Sequence, residues 1–213
     1  LHIMKQVAGA LQAAHAAAPW ICTWDDHETA NDAYATGAEN HQPQNGEGEW
    51  SARKAVALQA YMEWMPIREP QPGNAASAVW RQFRFGDVAS LFAVETRLTG
   101  RSPSSGWETV LASSKTPQDA VVKANAVMAT MADPKRTMLG EAQEAWLEAG
   151  IYRSVMQGVT WQVLANQVIM ARVKMPDFTR VLSPAQIAAQ TRPEVKMLVP
   201  FSQLGLPANL DAW

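Results

Sequence analysis

The residues best equipped for chemistry stand together in one short stretch, Asp25-Asp26-His27-Glu28, with Asn31 and Asp32 just behind it. Carboxylate oxygens suit hard cations, and an imidazole beside them can bind metal or move a proton. An apolar run over residues 20–24 precedes them, opened by Pro19, and reads as a short buried strand. A buried strand that delivers polar residues at its C-terminal end is a common way to build a site in an α/β sheet. Two readings of the acidic stretch stay open. In one it is a solvated turn that caps a helix start, because carboxylates satisfy free N–H groups there. In the other it is a metal or phosphate site. The spacing alone names no metal.

Composition narrows the classes. The 213 residues suffice for one domain with a substantial core, and the net charge of −2 provides no basic footprint for long nucleic acids. No apolar run approaches membrane-spanning length, and no charged-then-apolar signal segment opens the chain. The single cysteine, Cys22, lies in the apolar run and reads as a small buried hydrophobe. Nine tryptophans are scattered through the chain and read as packing residues, not as a platform for bases. There is no Gly-x-Gly-x-x-Gly, P-loop, Cys-x-x-Cys, serine elbow or internal repeat.

Several elements must position these residues. Residues 1–18 are alanine-rich, with Ile3, Val7, Leu11 and Ala14 near helical spacing, and predict a helix packed on the sheet. His15 suits the partial negative charge at its C-terminus. Residues 35–49 are polar and rich in glycine and asparagine, which predicts a loop. Ser51 is an expected N-cap for a helix over 52–65, with Val56, Leu58, Tyr61, Met62 and Met65 on one broad face and Pro66 as its stop. Residues 68–73 form a turn-rich connector. Residues 79–97 predict a β-hairpin turning at Gly86-Asp87, its second strand more continuously apolar. That strand ends in Glu95-Thr96-Arg97, which either faces the acidic stretch or makes an ordinary ion pair. Helices are expected over 120–131 and 140–152, and a third strand over 161–170, interrupted by Asn166 and Gln167. Beyond Pro176 the chain reads as irregular. Helices interleaved with apolar strands give an α/β sheet covered on its faces.

Five blocks, in order, resemble the PhoD-like alkaline phosphatase family of metallophosphoesterases. They are Thr23-Trp24-Asp25-Asp26-His27-Glu28 with Asn31-Asp32; Ala60-Tyr61-Met62-Glu63-Trp64-Met65-Pro66-Ile67-Arg68; Phe83-Arg84-Phe85-Gly86-Asp87 with Glu95-Thr96-Arg97; residues 139–147 from Leu139 to Leu147; and residues 161–167 from Trp161 to Gln167. The resemblance implies a phosphomonoesterase or phosphodiesterase with a calcium- and iron-containing centre, and part of a four-layer α/β/β/α sandwich. It makes Asp26 a metal ligand and Asp25 a further ligand candidate. It sets His27 beside the phosphoryl group, to stabilise charge or assist the leaving oxygen. Asn31 and Arg97 would touch phosphate or stand behind the ligands. The expected substrates are small phosphate esters, and the expected location is periplasmic or secreted.

Glu95 departs from the Asp-Thr-Arg pattern, which puts little at risk. The family's first metal-binding blocks and its final Gly-Asp-x-His block find no counterpart, and no histidine follows His41. Residues 1–213 are therefore expected to be the middle portion of one catalytic domain, inactive and aggregation-prone alone. The rival expectations are a calcium-binding structural module without hydrolase activity and a different metallophosphoesterase activity, such as a nuclease.

Overall fold

Alanine favours the helix more than any other residue, and α1 (His2–Ala17) forms where alanines are densest. The computed structural model describes residues 2–65, 67–69, 79–104, 106–171, 173–189 and 193–211. Pro66, residues 70–73 of the expected connector and the final Ala212-Trp213 lie outside the described residues. The described side chains of α1, residues 9–17, are all exposed, so this part of the helix does not pack on the sheet as expected. Leu11 is the one large apolar side chain between Gly9 and Ala17, too little for a buried stripe. His15, in the last turn, stacks on Trp20 with ring centroids 4.3 Å apart.

The apolar run at 20–24 does not form the expected strand. Among the described residues nothing pairs with it in a ladder, and Trp20 and Ile21 are exposed. Side chains take over the backbone's hydrogen bonding: the Cys22 carbonyl accepts from Tyr61 Oη (3.3 Å) and from the Arg81 guanidinium. Only Trp24 is buried, its ring 4.8 Å from that of Tyr61.

Helix α2 (Trp50–Trp64) begins at Trp50, with Glu49 as its N-cap in place of Ser51. Trp50 explains the earlier start. It is buried, and its Nε1 donates to the Ala35 carbonyl (3.3 Å), while Ser51 is exposed. Leu58 and Tyr61 face inward, whereas Val56 is exposed. With Trp24, Ala30, Ala33, Ala38 and Leu98 they form a core directly beneath the acidic stretch.

The hairpin forms as expected from β1 (Arg81–Phe85) and β2 (Ala89–Ala93), antiparallel, with Gly86 at φ +58° in the turn. Helices α3 (Trp107–Ser113), α4 (Pro117–Met131) and α5 (Glu141–Met156) then lead to β3 (Trp161–Ala165), which pairs in parallel with β2. The result is one mixed sheet in the order β1-β2-β3. β3 ends before residue 170 because Asn166 and Gln167 turn away from the ladder, leaving Ile169 and Met170 exposed. Trp161 and Val163 of β3 also face solvent. Helix α5 lies so close to β2 that a Cβ on Gly150 would sit 2.6 Å from Phe92 Cε1. Trp146 packs edge-on against Phe92 at 5.9 Å.

The region beyond Pro176 is helical where irregular chain was expected: α6 (Pro184–Ala188) and α7 (Pro193–Ser202) follow a short 3-10 turn (Phe178–Arg180). Pro184 and Pro193 start helices instead of breaking them, because the first helical turn needs no proline N–H, while Pro200 lies within α7. Ser183 and Gln186 close a capping box at α6. Phe201 of α7 joins Trp107, Val110, Leu111, Ala120 and Ala124 in a second core. No helix among the described residues is long and apolar enough to cross a membrane.

Candidate active site

Backbone first fixes the acidic stretch. The Asp26 carbonyl accepts from the Thr29 and Ala30 amides (both 2.8 Å), and the Glu28 carboxylate accepts from the Asp25 amide (2.9 Å). Asp26 is buried, and its Oδ2 accepts from the Asp32 amide (2.6 Å). No helix starts here for these residues to cap, and Asp26 is not solvated as that reading expected; Glu28 and Asp26 hold a turn instead. His27 is left with its side chain 79% exposed.

Helix α2 then ties down the loop behind. Arg53 Nε donates to the Thr29 carbonyl (3.1 Å), and Lys54 Nζ donates to the carbonyls of Ala35 (3.1 Å) and Leu98 (3.3 Å). Residues 35–49 remain a loop with one 3-10 turn, Pro43–Asn45, yet Gly37, Ala38 and His41 are buried in it. A Cβ on Gly37 would meet the Tyr34 hydroxyl at 2.6 Å, so a larger residue there would push the Tyr34 ring aside.

The exit from β2 supplies the other half. Glu95 is fully buried and gathers four N–H donors. Its Oε1 accepts from Trp24 Nε1 (3.2 Å), the Arg97 amide (2.8 Å) and the Leu98 amide (2.8 Å), and its Oε2 accepts from the Thr99 amide (2.7 Å). The Glu95 backbone is clasped by Gln143 of α5, which accepts from its amide (2.7 Å) and donates to its carbonyl (2.7 Å). This turn aims Arg97 at the acidic stretch. Arg97 Nε and Nη2 reach Asp25 Oδ1 (2.8 and 2.6 Å), Nη1 reaches Asp211 Oδ1 (2.7 Å), and Nη2 lies 3.7 Å from Asp26 Oδ1. Arg101 shares Asp211 Oδ1 at 2.6 Å. Burial alone would lower the Arg97 guanidinium, but hydrogen bonds and charge from Asp211 and Asp25 outweigh it and hold it above its ordinary value. Burial wins at Arg101, which is lowered.

The structure thus brings Asp25, Asp26 and Arg97 together, and links Asn31 to His27 through Asn31 Oδ1 and His27 Nε2 (2.8 Å). Gln167 ties in the end of β3, accepting from Thr96 Oγ1 (2.7 Å) and donating to Thr23 Oγ1 and the Val94 carbonyl. Asp211 and Arg101 were not singled out in the sequence. No local pattern marks Asp211, which meets Arg97 across 114 positions. A cleft of about 650 Å³ opens beside Arg101, but Met128, Met131, Met138, Ile169 and Leu210 dominate its wall and neither Asp26 nor His27 lines it. Arg101, Arg136 and Lys174 also line the cleft, but no carboxylate or imidazole does; the groups that could bind a metal or move a proton stand at the acidic turn, which is the candidate site.

Asp32 feels the crowding most. Burial, then the charges of Asp211, Asp26 and Glu39, push its carboxyl from 3.8 to about 6, with Arg97 opposing. The folded state therefore holds more protons than the unfolded one between these values, and stability falls as pH rises through that window. Asp32→Asn should remove the penalty. Asn also tolerates the left-handed backbone there, φ +49°. The full shift corresponds to about 3 kcal/mol, and solvent screening at this partly exposed carboxyl reduces the expected gain to about 1 kcal/mol at about pH 8, with none at about pH 3. Thermal melts of the two proteins at both pH values check it.

The donor chemistry suits a hard cation, but the arrangement does not complete a site for one. Among the described residues no three Asp, Glu, His or Cys side chains converge to hold a metal. Asp25 is engaged by Arg97, and Asp26 by the Asp32 amide and Arg97. The calcium and iron expected from the resemblance are thus not accommodated by these residues alone.

Comparison with known proteins shows the family. Alkaline phosphatase D of Bacillus subtilis (strain 168) is 34% identical over 165 residues, which is 76% of this chain and 24% of that protein. A solved structure described as that of PhoD superposes with a TM-score of 0.55 at 30% identity, covering 78% of this chain and 28% of the other. The chain therefore spans about a quarter of the length of these relatives. A family profile, PhoD-like phosphatase, matches residues 2–213, and the chain belongs to that family.

Proposed function

We propose that the whole protein is a metal-dependent phosphate ester hydrolase of the alkaline phosphatase kind, with the acidic turn as part of its active site. One observation carries this reading: an exposed imidazole, His27, stands next to a buried carboxylate, Asp26, whose neighbours are organised by the buried cation Arg97. Family membership directs that geometry towards phosphate esters.

The residues then have distinct tasks. Asp26, with Asp25 beside it, would contribute carboxylate oxygens to a calcium- and iron-containing centre whose other ligands lie outside the described residues. Such a centre supplies charge neutralisation on phosphoryl oxygens and an activated water. His27 stabilises charge at the phosphoryl group or protonates the leaving oxygen. Arg97 has its fork fully engaged by Asp25, Asp26 and Asp211, so it sets the charge and position of the carboxylates instead of touching phosphate. Asn31 orients His27.

Residues 1–213 are proposed to be the middle of a single catalytic domain. The mixed sheet with α5 against it would be one half of a four-layer α/β/β/α sandwich. A periplasmic or secreted location is proposed on the resemblance. A turn that only holds structural calcium leaves the exposed, oriented imidazole without a task.

The test is hydrolysis of p-nitrophenyl phosphate and its bis-ester by the whole protein, before and after chelation and with calcium and iron restored. Turnover that disappears on chelation and returns with metal supports the proposal, and the two rates assign the ester class. A folded, metal-loaded protein that cleaves neither ester overturns it.

A further inference from the structure

The Asn31 amide has two ends that differ only in which is donor and which acceptor. Its Nδ2 donates to Glu39 Oε2, and its Oδ1 faces His27 Nε2 at 2.8 Å. A carboxylate can only accept, so Glu39 determines that the NH2 end points towards itself and the oxygen towards His27. An oxygen opposite Nε2 requires that nitrogen to carry the hydrogen. Asp26 Oδ2, 3.8 Å from the same nitrogen, reinforces the preference. His27 Nδ1 has no partner among the described residues.

The backbone holds this chain of groups in place. The Glu39 amide donates to the Asn31 carbonyl (3.0 Å), and the Asn31 amide donates to Asn40 Oδ1 (2.9 Å). The loop between them is closed on itself by the Tyr34–Gly37 bridge. Residues 31 and 39–40 are thus registered against each other independently of the side-chain relay, which lets two exposed polar side chains keep one geometry in water.

We propose that Glu39 is a positioning residue: through the Asn31 amide it fixes His27 with hydrogen on Nε2 and presents Nδ1 to the reacting group. This rests on the reading of His27 as the group that serves the leaving oxygen. In that step the oxygen of a water bonds to phosphorus as the bond to the leaving oxygen breaks; that bond's electron pair stays on the leaving oxygen, which takes the proton from Nδ1, and the water's surplus proton passes to solvent. Imidazolium becomes neutral imidazole, which keeps its hydrogen on Nε2 against Asn31 Oδ1. A relay that fixed the other tautomer would present Nε2 to Asn31 without a hydrogen and oppose two lone pairs.

The experiment uses the whole protein labelled with 15N-histidine, with His27 signals assigned by His27→Ala. The ring nitrogens of wild type are expected to report the Nε2–H tautomer. Glu39→Ala and, from the other side, Asn31→Ala are expected to give an average of both tautomers. Glu39→Ala should lower kcat by about tenfold with KM nearly unchanged, the scale of losing an orienting partner. Glu39→Gln, whose side-chain oxygen can still accept from Asn31, should restore the tautomer and most of kcat. An Nδ1–H tautomer in wild type, an unaltered His27 signal in Glu39→Ala, or a Glu39→Gln as impaired as Glu39→Ala would overturn the proposal. If His27→Ala retains full turnover, the functional reading of His27 fails, while the nitrogen signals still decide what Glu39 does to the ring.

Discussion

Glu95→Ala is expected to destabilise the protein by about 3–5 kcal/mol, the range for stripping a buried charged group from its partners. The carboxylate is fully buried and serves Trp24 and three consecutive backbone amides, at Arg97, Leu98 and Thr99. Removal takes this acceptor from Trp24 Nε1 and from the buried Arg97 and Leu98 amides, each with its own desolvation cost. It also opens a cavity beneath the turn, beside Trp24 and Leu98 of the first core. Glu95→Gln should recover part of the loss, because its carbonyl oxygen can serve the three donors at Oε1. One of its two ends is an NH2 group, which would face N–H donors. Urea unfolding of the three proteins measures this, and a loss below about 1 kcal/mol for Glu95→Ala would mean that the turn is held elsewhere.

Arg97→Met should cost a similar amount, about 3–5 kcal/mol, but with a different pH signature. The substitution keeps an apolar stem and removes the one cation shared by Asp25, Asp26 and Asp211. Arg101 still reaches Asp211 but does not pair with Asp25 or Asp26 among the described residues. Arg97 is also the charge that opposes the upward push on the Asp32 carboxyl, already at about 6. Without it, that carboxyl rises further. The added penalty applies where the group must ionise, so the loss should be larger at about pH 8 than at about pH 4. Urea midpoints at both pH values check the sign, and a loss that is the same at both would show that packing, not charge, is Arg97's contribution.

These two residues also show what a sequence can and cannot reveal here. The hairpin was legible because alternating aromatics and Gly86-Asp87 are local signals. Helices α4 and α5 were legible for the same reason. So was the acidic turn, as a run of ionisable residues behind an apolar segment. The role of Glu95 was not, because its partners are mostly backbone amides, which no residue type advertises. Gln143 and Asp211 meet their partners across 48 and 114 positions. The run at 20–24 misled because apolar residues predict burial only where something covers them, and among the described residues only Trp24 is covered. The prolines beyond 176 misled because position decides whether proline starts or stops a helix.

Hydrolysis is proposed to take place at the turn carrying Asp26 and His27. Its most direct measurement is kcat for an aryl phosphate ester in the whole, metal-loaded protein and in His27→Ala and Asp26→Asn, with circular dichroism confirming the fold. His27→Ala is expected to lose about 10²- to 10⁴-fold, the usual share of a proton-transferring side chain, and Asp26→Asn at least as much. Turnover within about twofold of wild type in both folded variants would contradict it and move the chemistry elsewhere in the protein.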